Sequence, residues 1–199
     1  MSVKQLNPFL LTFYQVSITN WNEKKKQLLS LIDWNDKECF MVEHFTDYYK
    51  NVNREDHRAP YTDQFVNILK YDLNAFVHQV QNSPLNRFNV DLSMRVENLW
   101  AQRYTSQNFM PPHTHEPSGF SAVLYAEFDE HEHEATKFWA PFKNTIDAMD
   151  YRYDPQVKEG DILFFPSYLM HYAEPNASSK QRTIFSFNSR VKPTGFFDK

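Results

Sequence analysis

Glycine is nearly absent from this chain, with three in 199 residues. Phosphate-gripping loops need closely spaced glycines, so the chain has neither a dinucleotide fingerprint nor a Walker loop. Cysteine is scarcer still. Cys39 stands alone, which excludes an intrachain disulfide framework and a cysteine-rich zinc site, and fits a reducing compartment with the cytoplasm as the expected location. No run approaches the roughly 18 apolar residues needed to span a bilayer. The stretch Asn7-Pro8-Phe9-Leu10-Leu11 lacks the basic, apolar and small-residue order of a signal peptide. A strong excess of either charge is also missing. Lys plus Arg number 21 against 25 Asp plus Glu, a net charge of -4, so there is no broad basic footprint for nucleic acid. Neither a membrane nor nucleic acid is an expected partner, and a homodimer remains open.

What the chain has in quantity is aromatic side chains, at 17%, a composition that suits strands with bulky, branched residues. Residues Phe9 to Ile18 read as a strand. Asn20 and Glu23 have capping-box spacing ahead of a short helix from about Asn22 to Ile32, whose Lys24-Lys25-Lys26 run is expected on its solvated face. From Asp33 to Tyr61 no period is clear and a loop is expected. A stronger helix begins at Thr62, carries an apolar stripe through Phe65, Leu69, Leu73, Phe76 and Val80, and is closed by Pro84. The two helices are expected to cover one face of a sheet.

After residue 88 the hydrophobic period changes from 3.6 to 2. Val90, Leu92, Met94 and Val96 alternate with polar residues, giving a half-buried strand. Near Asn98 the phase blurs, because Leu99 and Trp100 are both large and apolar, and a bulge or break is expected there. Trp100, Gln102 and Tyr104 then share a face. Further strands are expected at Phe120 to Phe128, Thr136 to Ala140, Asp161 to Phe165 and Arg182 to Asn188. Short strands separated by polar turns indicate a mainly β chain, a barrel or sandwich with flanking helices, organised as one domain over 1–199 with an N-terminal arm to residue 88.

Three histidines stand in contexts that could hold a metal. His113 and His115 are two apart, and in an extended segment such residues point the same way. His171 follows Ile162-Leu163-Phe164-Phe165-Pro166, so it sits near the rim of a buried strand. Neutral imidazole is the commonest protein ligand for divalent transition metals. Arg182 opens the final strand. A guanidinium there is costly to bury unless it meets an anion, and its fork suits a carboxylate. The second His-x-His pair, His131 and His133, lies in the acidic stretch 129–134 and is expected in a solvated loop.

The order His113-Thr114-His115, then Glu159-Gly160-Asp161 leading into Phe164-Phe165-Pro166, then His171, then Arg182 opening a strand that ends Ser186-Phe187-Asn188, resembles the Fe(II)/2-oxoglutarate-dependent oxygenases. It is most similar to their bacterial and phage-type branch, over roughly residues 95 to 190. The resemblance implies a double-stranded β-helix, or jelly roll, with Fe(II) and 2-oxoglutarate as cofactors, and hydroxylation of an unidentified small molecule or protein side chain with release of succinate and CO2. His113 and His171 match two of the family's metal ligands. The third is usually a carboxylate, whereas His115 stands at that position with Glu116 beside it, and strand alternation favours His115. Arg182 matches the residue that holds the distal carboxylate of 2-oxoglutarate. The hydroxyl residue that often follows it by two is replaced by Ile184, leaving Ser186 or Tyr104 as the second contact. Tyr125, in phase with Ser121, is a further inward-facing candidate. Two other readings use the same residues: a cupin-type metal or small-molecule binding module, and a three-histidine dioxygenase that does not use 2-oxoglutarate.

Overall fold

The computed structural model describes residues 11–40, 44–55, 57–115 and 119–198. Among these residues ten strands form two antiparallel sheets, and helices lie against one face of the larger. The larger sheet contains β1 (Tyr14–Ser17), β2 (Phe45–Thr46), β3 (Leu92–Tyr104), β5 (Phe120–Glu127), β8 (Asp161–Pro166) and β10 (Arg182–Pro193). Their spatial order is β1-β8-β5-β10-β3-β2. The smaller sheet, β4-β9-β6-β7, is built from β4 (Met110–His113), β6 (Lys137–Lys143), β7 (Asp150–Tyr153) and β9 (Met170–Ala173). This is the mainly β jelly roll that the motif order implies.

Alternation along the central strands sorts two cores. Leu99 and Ala101 of β3, Ala122 and Leu124 of β5, Ile162 and Phe164 of β8, and Phe185 and Phe187 of β10 face one way. They meet α1 (Trp21–Leu29) and α3 (Thr62–Gln81) through Leu28, Phe65, Leu69, Leu73 and Phe76. Phe76 lies flat on Phe164, with ring centroids 3.7 Å apart. The intervening residues, among them Tyr104, Val123, Tyr125, Phe165 and Ile184, turn inward with Phe138 of the smaller sheet. Because both faces of β5 are covered, that strand reads as an unbroken apolar run and not as an alternating one.

Several expectations are corrected. Only Tyr14–Ser17 of the first expected strand is β1, and residues 1–10 lie outside the described part. Asn20 takes a left-handed conformation, φ 53°, and makes no side-chain cap, so the capping box does not form. Asparagine tolerates that region better than most residues. Two of the three lysines expected on a solvated face are tied into the fold: Lys24 pairs with the buried Asp72 of α3 at 2.6 Å, and Lys25 with Glu159 at 2.8 Å. The segment assigned to loop holds β2 and α2 (Tyr48–Val52). The phase change near Asn98 is a bulge and not a break. Along β10, Asn188 faces Asn98 and Ser189 faces Val96, so Glu97 is the extra residue in one continuous strand.

Candidate active site

The smaller sheet brings the histidines together. β4 and β9 pair antiparallel with His113 directly opposite His171. β4 ends there, and His115 is held one step beyond the strand by its backbone N–H, which donates to the carbonyl of Ser167 at 2.9 Å. The strand ends are thus stitched to the β8–β9 turn. Ring centroids are 4.3 Å apart for His113 and His171, 5.0 Å for His113 and His115, and 5.0 Å for His115 and His171. One nitrogen from each ring lies within 4.8 Å of the others. Ligand nitrogens at about 2.1 Å from a shared divalent ion stand at most about 4.2 Å apart, so the set has about the reach that a shared ion requires. Among the described residues no other cluster of this kind occurs, and Glu116 lies outside them.

The hydrogen bonds suit metal binding. Nδ1 of His113 lies 2.8 Å from the carbonyl of Pro111, and Nδ1 of His171 lies 2.8 Å from that of Leu169. A carbonyl only accepts, so each Nδ1 carries the proton and each Nε2 offers its lone pair. Burial, then the neighbouring His113, pushes His115 down to about 4. His171 is pushed to about 3 by burial first and then by His113, against the opposing Leu169 carbonyl. Both rings are therefore neutral at pH 7, the form that binds metal.

This has a measurable consequence. Below the unfolded histidine pKa of about 6.5, the unfolded chain takes protons at these two positions and the folded chain does not. The metal-free protein is therefore expected to lose stability as pH falls from about 6.5 towards 4, and its melting temperature should fall across that window. Saturating divalent metal should raise the melting temperature most at pH 7.5 and progressively less as protons compete. A metal-free melting temperature flat from pH 7 to 4.5 would contradict the buried neutral state of the pair.

The triad opens onto a cavity of about 500 Å3 between the two sheets. Ser186, Gln102 and Tyr104 line it from the larger sheet, as does Thr136 from the residue preceding β6. Arg182 does not line it. The guanidinium is 2% exposed and sits behind Tyr104, its carbon 4.5 Å from the ring centroid. It donates to the carbonyls of Glu134 at 2.6 Å and Glu174 at 3.5 Å. Among the described residues it meets no carboxylate side chain, and burial lowers its pKa. Tyr125 is also set back. Its hydroxyl accepts from the backbone N–H of Thr136 at 3.2 Å, which places Thr136 at the cavity wall.

His131 and His133 stay apart from this centre. His131 is exposed, while His133 accepts from the N–H of Asp129 through Nδ1 at 3.0 Å and contacts the Lys180 carbonyl through Nε2 at 3.2 Å. These contacts fold the expected loop. Thr136 and His44, which stacks on Tyr104 at 5.1 Å, line the cavity without having been singled out as site residues. Thr136 could have been found from its place at the head of an inward-facing strand. His44 had no signal, since it lies in an aperiodic segment.

Residues 98–188, a little under half of the chain, match the family model described as "Putative 2OG-Fe(II) oxygenase". The match runs from the bulge in β3 through the triad to Asn188 of β10. Over those residues the chain is similar to the 2OG-Fe(II) oxygenase family. No curated protein matches the sequence. The epimerase SnoN of nogalamycin biosynthesis has a similar structure at TM-score 0.60 and 13% identity, covering 94% of this chain and 82% of SnoN. HygX from Streptomyces hygroscopicus, solved with nickel, 2-oxoglutarate and hygromycin B, aligns at TM-score 0.59 and 14% identity over 94% of this chain and 84% of its own. A Pseudomonas putida prolyl-4-hydroxylase aligns at 0.51 and 13% over 90% and 93%. At such identities the likeness establishes the fold alone.

Proposed function

We propose that this protein is an oxygenase that uses Fe(II) and 2-oxoglutarate to hydroxylate an organic substrate, with His113, His115 and His171 as the metal ligands. The observation that carries this reading is the convergence of three imidazoles, two with Nδ1 tied to a carbonyl, on the mouth of a cavity backed by a buried arginine. With both bound, the iron and its co-substrate supply the oxidising chemistry: one atom of dioxygen enters succinate as CO2 leaves, and the other enters the substrate.

The chain's own contribution is placement. Arg182 would hold the distal carboxylate of 2-oxoglutarate, since a buried guanidinium with only carbonyl partners is completed by an anion. Tyr104 and Thr136 line the wall in front of it and bring hydroxyls to the same carboxylate. Tyr125 positions Thr136. Ser186 lies deeper along β10, where its hydroxyl donates to Gln102 Oε1 at 3.3 Å. The inward apolar residues Val123, Phe165 and Ile184 exclude water from the reacting region.

A second reading, a dioxygenase that does not use 2-oxoglutarate, draws on one feature, the absence of a carboxylate among the three clustered ligands. Product analysis separates the two. Succinate formed from 2-oxoglutarate, dependent on both Fe(II) and oxygen, is expected; oxygen uptake without succinate would favour the second reading.

A further inference from the structure

The part of the cavity nearest the solvent has a composition of its own. Among the described residues that line the cavity there is no Asp, Glu, Lys or Arg. Its rim is aromatic. Trp100 lies 5.6 Å from His115 between ring centroids, Tyr48 meets Trp100 edge-on at 5.2 Å, and Tyr49 meets Tyr48 at 5.2 Å. Aromatic rings therefore lead from the surface to the histidine triad. They are held in place: Asp47, just ahead of α2, accepts from the N–H of Ala101 at 2.8 Å and from the Tyr61 hydroxyl at 2.6 Å. That fixes Tyr48 and Tyr49 against the stretch of β3 that carries Trp100.

Below this wall stands Gln102, 4% exposed and lining the same cavity. Its Oε1 accepts from Trp100 Nε1–H at 3.1 Å and from the Ser186 hydroxyl at 3.3 Å. An indole nitrogen can only donate, so the orientation of the amide is determined: oxygen towards Trp100, nitrogen away from it. The Nε2–H2 group makes no hydrogen bond with any described residue. An amide donor that faces the cavity beside an otherwise satisfied network is available to an acceptor on a ligand that displaces water from it.

We infer that the substrate presents to this cavity an uncharged ring bearing a carbonyl-type oxygen, the ring against Trp100 and Tyr48 and the oxygen accepting from Gln102 Nε2–H2. This rests on the metal and co-substrate reading above for the reaction, but the wall and the amide are properties of the chain alone. A charged ring would enter the loaded cavity with no counter-ion among the described lining residues, since the Arg182 guanidinium is then engaged by 2-oxoglutarate.

Four probes of one shape test it: acetophenone, α-methylstyrene, which replaces the carbonyl by a methylene, benzoate and benzamidinium. Binding is measured by saturation-transfer NMR on the wild-type protein and on Gln102→Leu, with Gln102→Met as the substitute should the leucine variant fail to fold. Each is examined alone and with Ni(II) and 2-oxoglutarate added. Acetophenone is expected to bind wild type, and the two ions to bind the loaded protein more than ten-fold more weakly. Relative to α-methylstyrene, acetophenone should lose roughly three- to ten-fold in affinity when Gln102 is replaced, the worth of one neutral hydrogen bond. An unchanged ratio, or a charged probe binding the loaded protein as well as acetophenone does, overturns the inference. Failure to bind nickel or 2-oxoglutarate would overturn the functional reading instead, and the acetophenone to α-methylstyrene ratio would still decide this one.

Discussion

Replacing His171 by Ala is expected to abolish 2-oxoglutarate turnover and to weaken divalent-metal binding at least about a hundred-fold, beyond what loss of an outer-shell partner of a ligand costs. His171 stands opposite His113 in the β4–β9 pair and is 4% exposed, and among the described residues no further ligand-type side chain joins the cluster. Removing it also leaves His113 and His115 on one side of the site, and two imidazoles hold an ion far less firmly than three. The variant should keep its fold, because His171 is buried as the neutral ring and its Nδ1 makes only a contact to the Leu169 carbonyl. Isothermal titration with nickel and a succinate assay read the two effects. Full metal affinity in a folded His171→Ala protein would remove the residue from the ligand set. His131→Ala, in the second His-x-His pair, is the matched control and should change neither quantity.

The second large effect belongs to Arg182. Removing one partner of a buried, hydrogen-bonded charge pair costs several kcal/mol, so Arg182→Met should weaken 2-oxoglutarate roughly 30- to 1,000-fold. Nickel affinity should stay within about three-fold, since Arg182 lies behind Tyr104 and bonds only to the carbonyls of Glu134 and Glu174. Arg182→Lys keeps the charge and loses the planar fork, and an intermediate loss is expected. A parallel loss of metal and co-substrate would mean that the substitution disrupts the packing between the sheets and that the guanidinium has no specific role. Unchanged 2-oxoglutarate affinity would remove it from the co-substrate site altogether.

The central strands of the larger sheet, β3, β5, β8 and β10, were legible because they run for six to thirteen residues and carry a clear signature. Alternation placed Trp100, Gln102 and Tyr104 on one face, and all three line the cavity. The blurred phase at Leu99 and Trp100 was the visible trace of the Glu97 bulge. The smaller sheet was much less legible. β4, β7 and β9 have four residues each, too few to show a period, and β4 contains two prolines that read as a loop. Its existence was implied by the histidine spacing more than by any strand pattern. The bulge-free alternation that put His113 and His115 on one face also needed help from tertiary structure, because His115 lies past the strand end and is oriented through Ser167. Thr136 and His44 show the remaining gap: their places depend on pairings more than thirty residues away, such as that of β6 with β9, and local sequence carries no record of these.

The fold is established by the family match and the shared architecture; the roles of the three histidines and the arginine are what chemistry must decide. The most direct measurement is the anaerobic difference spectrum on adding Fe(II) and then 2-oxoglutarate to the wild-type protein. A visible charge-transfer band that appears only with both components, is lost in His171→Ala, and in Arg182→Met needs far more 2-oxoglutarate to develop is the result expected. No band from wild type at saturating Fe(II) and 2-oxoglutarate, or an undiminished band from His171→Ala, would contradict it.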